Sequence, residues 1–146
     1  MNPTNQPATI DARHRILMTL WFALFTSIGL FFLLTLLTTR NDSITPNNTV
    51  TLALLLVAVT AVIASYLIKQ RFLAQAIAKQ DMLLVQQGLI VAAAINEVAA
   101  MLGLLDYFLT ANRYYYVFFI MAAIGALLNF PRRDHLLAAS YKKDLN

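Results

Sequence analysis

Glu97 is the residue of this chain whose type and position could do chemistry. It lies near the middle of an apolar stretch from Leu83 to Leu109, long enough to cross a bilayer. A carboxylate at membrane depth is unfavourable by about 2.5–3.5 kcal/mol on insertion scales, so such residues mark functional positions by default. A carboxyl desolvated among small and apolar neighbours favours its neutral form. A group that takes up and releases a proton, or exchanges it for a cation, needs that property. Gln86, eleven residues earlier, shares the Glu97 face three turns away, and Asn96 adjoins it. These two amides are the candidates for tuning a Glu97 ion site. The same carboxyl would also serve as a hydrogen-bonded strut between helices, held by Thr60, Ser65 or a backbone carbonyl, or as a contact with a partner subunit.

Another face of the same stretch is built differently. Gly88, Ala92, Asn96, Ala99 and Gly103 fall within about 80° of one another on a helix. Stripes of small residues let helix backbones approach closely in lipid, so Gly88, Ala92, Ala99 and Gly103 read as packing positions. Other polar residues suggest less. Asp106 and Arg113 read as anchors at the outer interface, and Asn129 as a helix C-cap. His14 and His135 are the two histidines, and neither has the company of a metal or haem site. There is no cysteine, which removes disulfides, thiolate metal sites and thiol nucleophiles. No Gly-rich phosphate loop or nucleophile elbow occurs, and no cofactor is expected.

The elements that must position Glu97 follow from composition. Of the 146 residues, 60% are hydrophobic and 12% charged, with a mean hydropathy of +0.65. Soluble domains sit near 45–50% and 25%. The chain reads as an all-α membrane protein, an antiparallel bundle of four transmembrane helices at residues 16–38, 49–68, 83–109 and 114–130. Residues 1–12, with Pro3 and Pro7, read as a mobile tail. Residues 13–131 form the transmembrane domain, and 132–146 a tail with a short surface helix around His135–Tyr141. The second helix should continue past the membrane, because Phe72, Leu73, Ala76 and Ile77 keep helical spacing, and turn near Lys79-Gln80-Asp81. Arg40 to Asn48 is a polar turn, in which Asn41 and Asn47 fit the glycosylation acceptor pattern.

Basic residues set the orientation. Nine of the eleven Lys and Arg (Arg13, Arg15, Lys69, Arg71, Lys79, Arg132, Arg133, Lys142 and Lys143) fall on one side of four alternating crossings, against Arg40 and Arg113 on the other. That bias puts both termini and the middle loop in the cytoplasm. The expected location is a bacterial cytoplasmic membrane. The net charge of +4 is explained by topology and anionic headgroups, and nucleic acid is not an expected partner.

The second and third segments carry a further pattern. Ala74-Gln75-Ala76-Ile77-Ala78-Lys79-Gln80-Asp81 is a small-residue helix end running into a polar turn. Sixteen residues after Asp81 comes Asn96-Glu97-Val98-Ala99-Ala100-Met101-Leu102-Gly103-Leu104, a carboxylate followed six residues later by Gly-Leu. This hairpin resembles the c subunit of rotary ATP synthases over about 60 of 146 residues. The resemblance implies an ion-carrying role for Glu97 and assembly with itself or other membrane subunits. The expectation is a small membrane subunit that binds a proton or cation and is not itself an enzyme. The alternative is a non-catalytic accessory or scaffold subunit of a larger membrane complex.

Overall fold

The computed structural model describes residues 6–39, 46–110 and 112–140. It is helical, with no strand among the described residues. The helices are α1 (Gln6–Leu37), α2 (Asn48–Lys79), α3 (Met82–Leu109), α4 (Tyr116–Leu128) and α5 (Arg133–Ser140), and a 3₁₀ turn, Arg113–Tyr115, leads into α4. Three helices are long and apolar enough to cross a membrane, or four if Arg113–Leu128 and Arg133–Ser140, bent by 40°, form one span. Large apolar side chains such as Phe22, Leu37 and Leu56 are exposed. A multi-pass membrane protein presents such side chains to lipid.

Local chemistry sets the ends of these helices. Asn47 caps α2, its side-chain oxygen accepting from the N–H groups of Thr49 and Val50, so this acceptor-pattern asparagine serves as a helix cap. The turn at Lys79-Gln80-Asp81 has Gln80 in the left-handed region (φ 52°), with the Asp81 N–H bonded to Ala76 O. Asp81 then caps α3 by accepting from the Leu83 N–H. Asn112 caps the 3₁₀ turn through Tyr114 N, and Asn129 closes α4 two residues before Pro131. Most of the Arg40–Asn48 turn, with Asn41, lies outside the described residues, as do residues 1–5 and 141–146 with Lys142 and Lys143.

One boundary is corrected. The stretch read from sequence as a mobile tail to residue 12 is helical from Gln6, and Ile10 is buried against Leu17, Leu136 and Ala139. Pro7 falls in the first turn, where a missing N–H leaves no bond unmade. α4 is also shorter than the 114–130 segment, because its entry is 3₁₀.

The most extensive pairing is between α2 and α3. α3 buries Val85, Ala92, Ala99 and Asp106 at steps of seven, with Leu89, Asn96 and Gly103 interleaved. α2 buries Thr51, Ala58 and Ser65 at the same step. A seven-residue repeat is the signature of close left-handed helix packing. Where the helices cross, glycine is required. A Cβ at Gly88 would collide with Phe72, and one at Gly103 would lie 2.7 Å from the Phe118 Cβ. One core gathers Ile28, Ala58, Ala99, Phe118, Phe119 and Ala122; a second, at the end carrying α5, gathers Leu17, Ala76, Val85, Leu89 and Leu136.

Candidate functional site

α3 is the hub, and its polar side chains reach three different helices. Glu97 is half-buried and turned to α1, where Ser27 Oγ lies 2.5 Å from Glu97 Oε1. The same Ser27 hydroxyl is 2.8 Å from Leu24 O, one turn back on its own helix. A serine carries one hydroxyl proton. If Glu97 is ionised, two acceptors compete for that proton. If Glu97 is protonated, it donates to Ser27 while Ser27 donates to Leu24 O, and both contacts are satisfied together.

Asn96, next in sequence, points elsewhere. It is 2% exposed and donates from Nδ2 to Ala122 O of α4 at 2.8 Å. Its amide fills the space beside Gly125, where a Cβ would strike the Asn96 oxygen. Gln86 is half-buried and lies about 16 Å along the axis from Glu97. The structure therefore does not gather Gln86, Asn96 and Glu97 into one constellation. The group that meets Glu97 is Ser27. Thr60 and Ser65 bond to backbone carbonyls of their own helix, Leu56 O and Val62 O, and Ser65 also accepts from Asn129 Nδ2. Gly88, Ala92, Ala99 and Gly103 are all buried, as a packing face requires.

Two polar clusters are not evident in the sequence. At the end carrying α5, Lys69 is 8% exposed and donates to Leu128 O and Phe130 O, satisfying carbonyls left open where α4 ends. His135 lies in the same pocket wall as Lys69 and Arg132. Burial first, then the charges of Lys69 and Arg132, push its imidazole below the ordinary value, with Asp134 acting in the opposite sense. At the other end, Asp106 is fully buried and accepts from Thr51 and Thr110. Asp106, read from sequence as an anchor at the outer interface, is instead enclosed in the bundle. Arg113 is exposed, and the ion pair among the described residues is Arg133–Asp11. The available signal for Asp106 is Thr110 one turn later, on the same face.

The α2–α3 hairpin keeps the elements that suggested the c-subunit likeness: the polar turn, the Asp81 cap and a mid-helix carboxyl. Glu97 faces α1, however, which lies outside that hairpin. Among the described residues, no group of three or more His, Cys, Asp or Glu side chains is placed to hold a metal ion. Comparison of the chain with protein-family models, curated proteins and solved structures finds no match.

Proposed function

We infer that this chain is a small membrane subunit that binds and releases a proton at Glu97, within an antiparallel bundle of four spans with both ends in the cytoplasm. The basic residues support the orientation, nine against two across the alternating crossings. The observation that carries the ion-binding reading is the double contact of Ser27, 2.5 Å from Glu97 and 2.8 Å from Leu24 O. It gives the carboxyl a partner in either state. With the proton on Glu97, Ser27 accepts from it and donates to Leu24 O. When the proton leaves, the Ser27 O–H turns to the carboxylate and stabilises the new charge. Glu97 is half-buried rather than sealed inside the bundle. The c-like pattern of the hairpin favours the same role, and favours assembly with further copies or other membrane subunits.

The experiment is labelling with dicyclohexylcarbodiimide, which adds to protonated carboxyls in apolar surroundings. Native membranes are treated across a pH series and the modified residue is identified by mass spectrometry. The expected result is modification of Glu97 that declines as pH rises. Folded protein left unmodified at Glu97 at every pH would make that residue a fixed interhelical contact. The chain would then be read as an accessory or scaffold subunit.

A further inference from the structure

Asp106 lies nine residues beyond Glu97, about 13 Å along α3 and on its opposite face. None of its surface is exposed. Its Oδ1 accepts from Thr51 Oγ1 at 2.8 Å and Thr110 Oγ1 at 2.9 Å. Its Oδ2 is equally buried and has no hydrogen-bond partner among the described residues. No basic side chain pairs with it there. A buried carboxylate without a countercharge is strongly unfavourable, so a bound species must neutralise it.

A proton meets only half of that requirement. Placed on Oδ2, it creates a buried O–H with no acceptor; placed on Oδ1, it leaves Oδ2 bare. A cation at Oδ2 answers both the charge and the open lone pairs. The surrounding atoms suit one. Thr51 Oγ1 and Thr110 Oγ1 lie 3.2 Å apart, and each has a backbone carbonyl as an alternative acceptor, Asn47 O at 3.3 Å and Asp106 O at 2.9 Å. With their protons turned to those carbonyls, both hydroxyls offer lone pairs. The donor set is all oxygen with a single negative charge, which matches a hard monovalent ion. A divalent ion would be left with an uncompensated charge, and soft metals take nitrogen or sulfur.

A cavity adjoins this cluster at Thr51. This cavity, of about 370 Å³ between α2 and α4, is lined by Asn48, Thr51, Asn112, Tyr114 and Phe118, among others. Thr51 belongs to both the cavity wall and the Asp106 cluster. Asn112 donates to Thr51 Oγ1 at 3.2 Å and to Asn48 Oδ1 at 3.0 Å, holding this wall in register. We propose that Asp106, Thr51 and Thr110 form a site for a small monovalent metal cation of the Na⁺ class, entered through this cavity. The site does not depend on the role of Glu97.

The test uses the full chain in detergent micelles prepared without Na⁺ in choline chloride. NaCl or LiCl is exchanged in at constant ionic strength while radiolabelled Na⁺ uptake and the thermal midpoint are followed. Expected are saturable uptake of one Na⁺ per chain and a midpoint that rises with it. Asp106→Asn should abolish both. Asn112→Ala should weaken uptake by about 10–100-fold, as loss of a supporting contact does at metal sites. Asp81→Asn, which removes a carboxylate at the other end of α3 but keeps a capping side chain, should bind as the native chain does. Lack of saturable uptake by the native chain, uptake restricted to divalent ions, or unchanged uptake in Asp106→Asn would overturn the proposal. Should Asp106→Asn fail to fold, an unshifted affinity in Asn112→Ala would overturn it.

Discussion

The side-chain amide of Asn96 occupies the volume that a Cβ would need at Gly125, and it bonds Ala122 O three residues earlier on the same helix. α3 and α4 therefore interlock through one polar side chain and the absence of another. Gly125→Ala should destabilise the fold by about 1–3 kcal/mol, the range for overpacking a tight contact. Asn96→Ala in the same chain should return part of that loss, since the two changes act on one contact. Unfolding in mixed micelles of increasing denaturing detergent measures both, and strict additivity of the two losses would contradict the interlock.

Ser27 is the position at which the Glu97 site can be tested without touching Glu97. Ser27→Ala removes one interhelical hydrogen bond, worth about 0.6 kcal/mol on average in membrane bundles and up to about 1.7. Stability should fall by that small amount. Glu97→Gln should preserve assembly, since the amide retains hydrogen bonding to Ser27, whereas Glu97→Leu should weaken the α1–α3 contact.

His135 gives the docking of α5 a pH dependence. Burial and the charges of Lys69 and Arg132 lower its affinity for a proton in the folded chain. The undocked chain binds that proton more readily, so stability rises with pH through this window. Docking should be at full strength above about pH 6.5, the ordinary histidine value, and weaken as pH falls below it. Hydrogen exchange of the α5 amides across pH 5–8 measures this. His135→Gln should flatten the profile, and an equally steep profile in that variant would assign the effect to another group.

Gln80 adopts φ 52° at the α2–α3 turn, a conformation that glycine takes without penalty. A side chain there costs about 1 kcal/mol. Gln80→Gly should therefore raise the unfolding midpoint, and the β-branched Gln80→Val should lower it. A Gly variant less stable than the native chain would show that the glutamine side chain contributes more than its backbone strain removes.

Sequence periodicity shows some of these features plainly and conceals others. The run Gly88, Ala92, Asn96, Ala99, Gly103 is readable because small residues at helical spacing have one physical use in lipid, and all five are buried. The Lys79-Gln80-Asp81 turn is readable from its polarity. Ser27 is not, because which residue of α1 meets Glu97 depends on how two helices rotate against each other. Asp106 is concealed for a different reason. A charge near the end of an apolar run reads as an interfacial anchor. Its burial depends on Thr51 arriving from fifty-five residues away to donate to it. Residues 6–12 are helical because α5 folds back to cover Ile10, a contact across more than a hundred residues.

The shortness of α4 reaches beyond the protein. Its 13 helical residues and the three of the preceding 3₁₀ turn extend only about 25 Å, against a hydrocarbon layer of about 30 Å. α1, α2 and α3 run for 28 to 32 residues and have length to spare. Were α4 by itself the fourth span, the bundle would be mismatched to its bilayer on one flank alone. Lipid beside α4 would then thin, while lipid around the other flanks need not. An asymmetric strain of that kind is relieved when two thin flanks share one patch of thinned lipid. The bilayer itself would then draw copies of the chain together along α4 before any side chain of one touched the other.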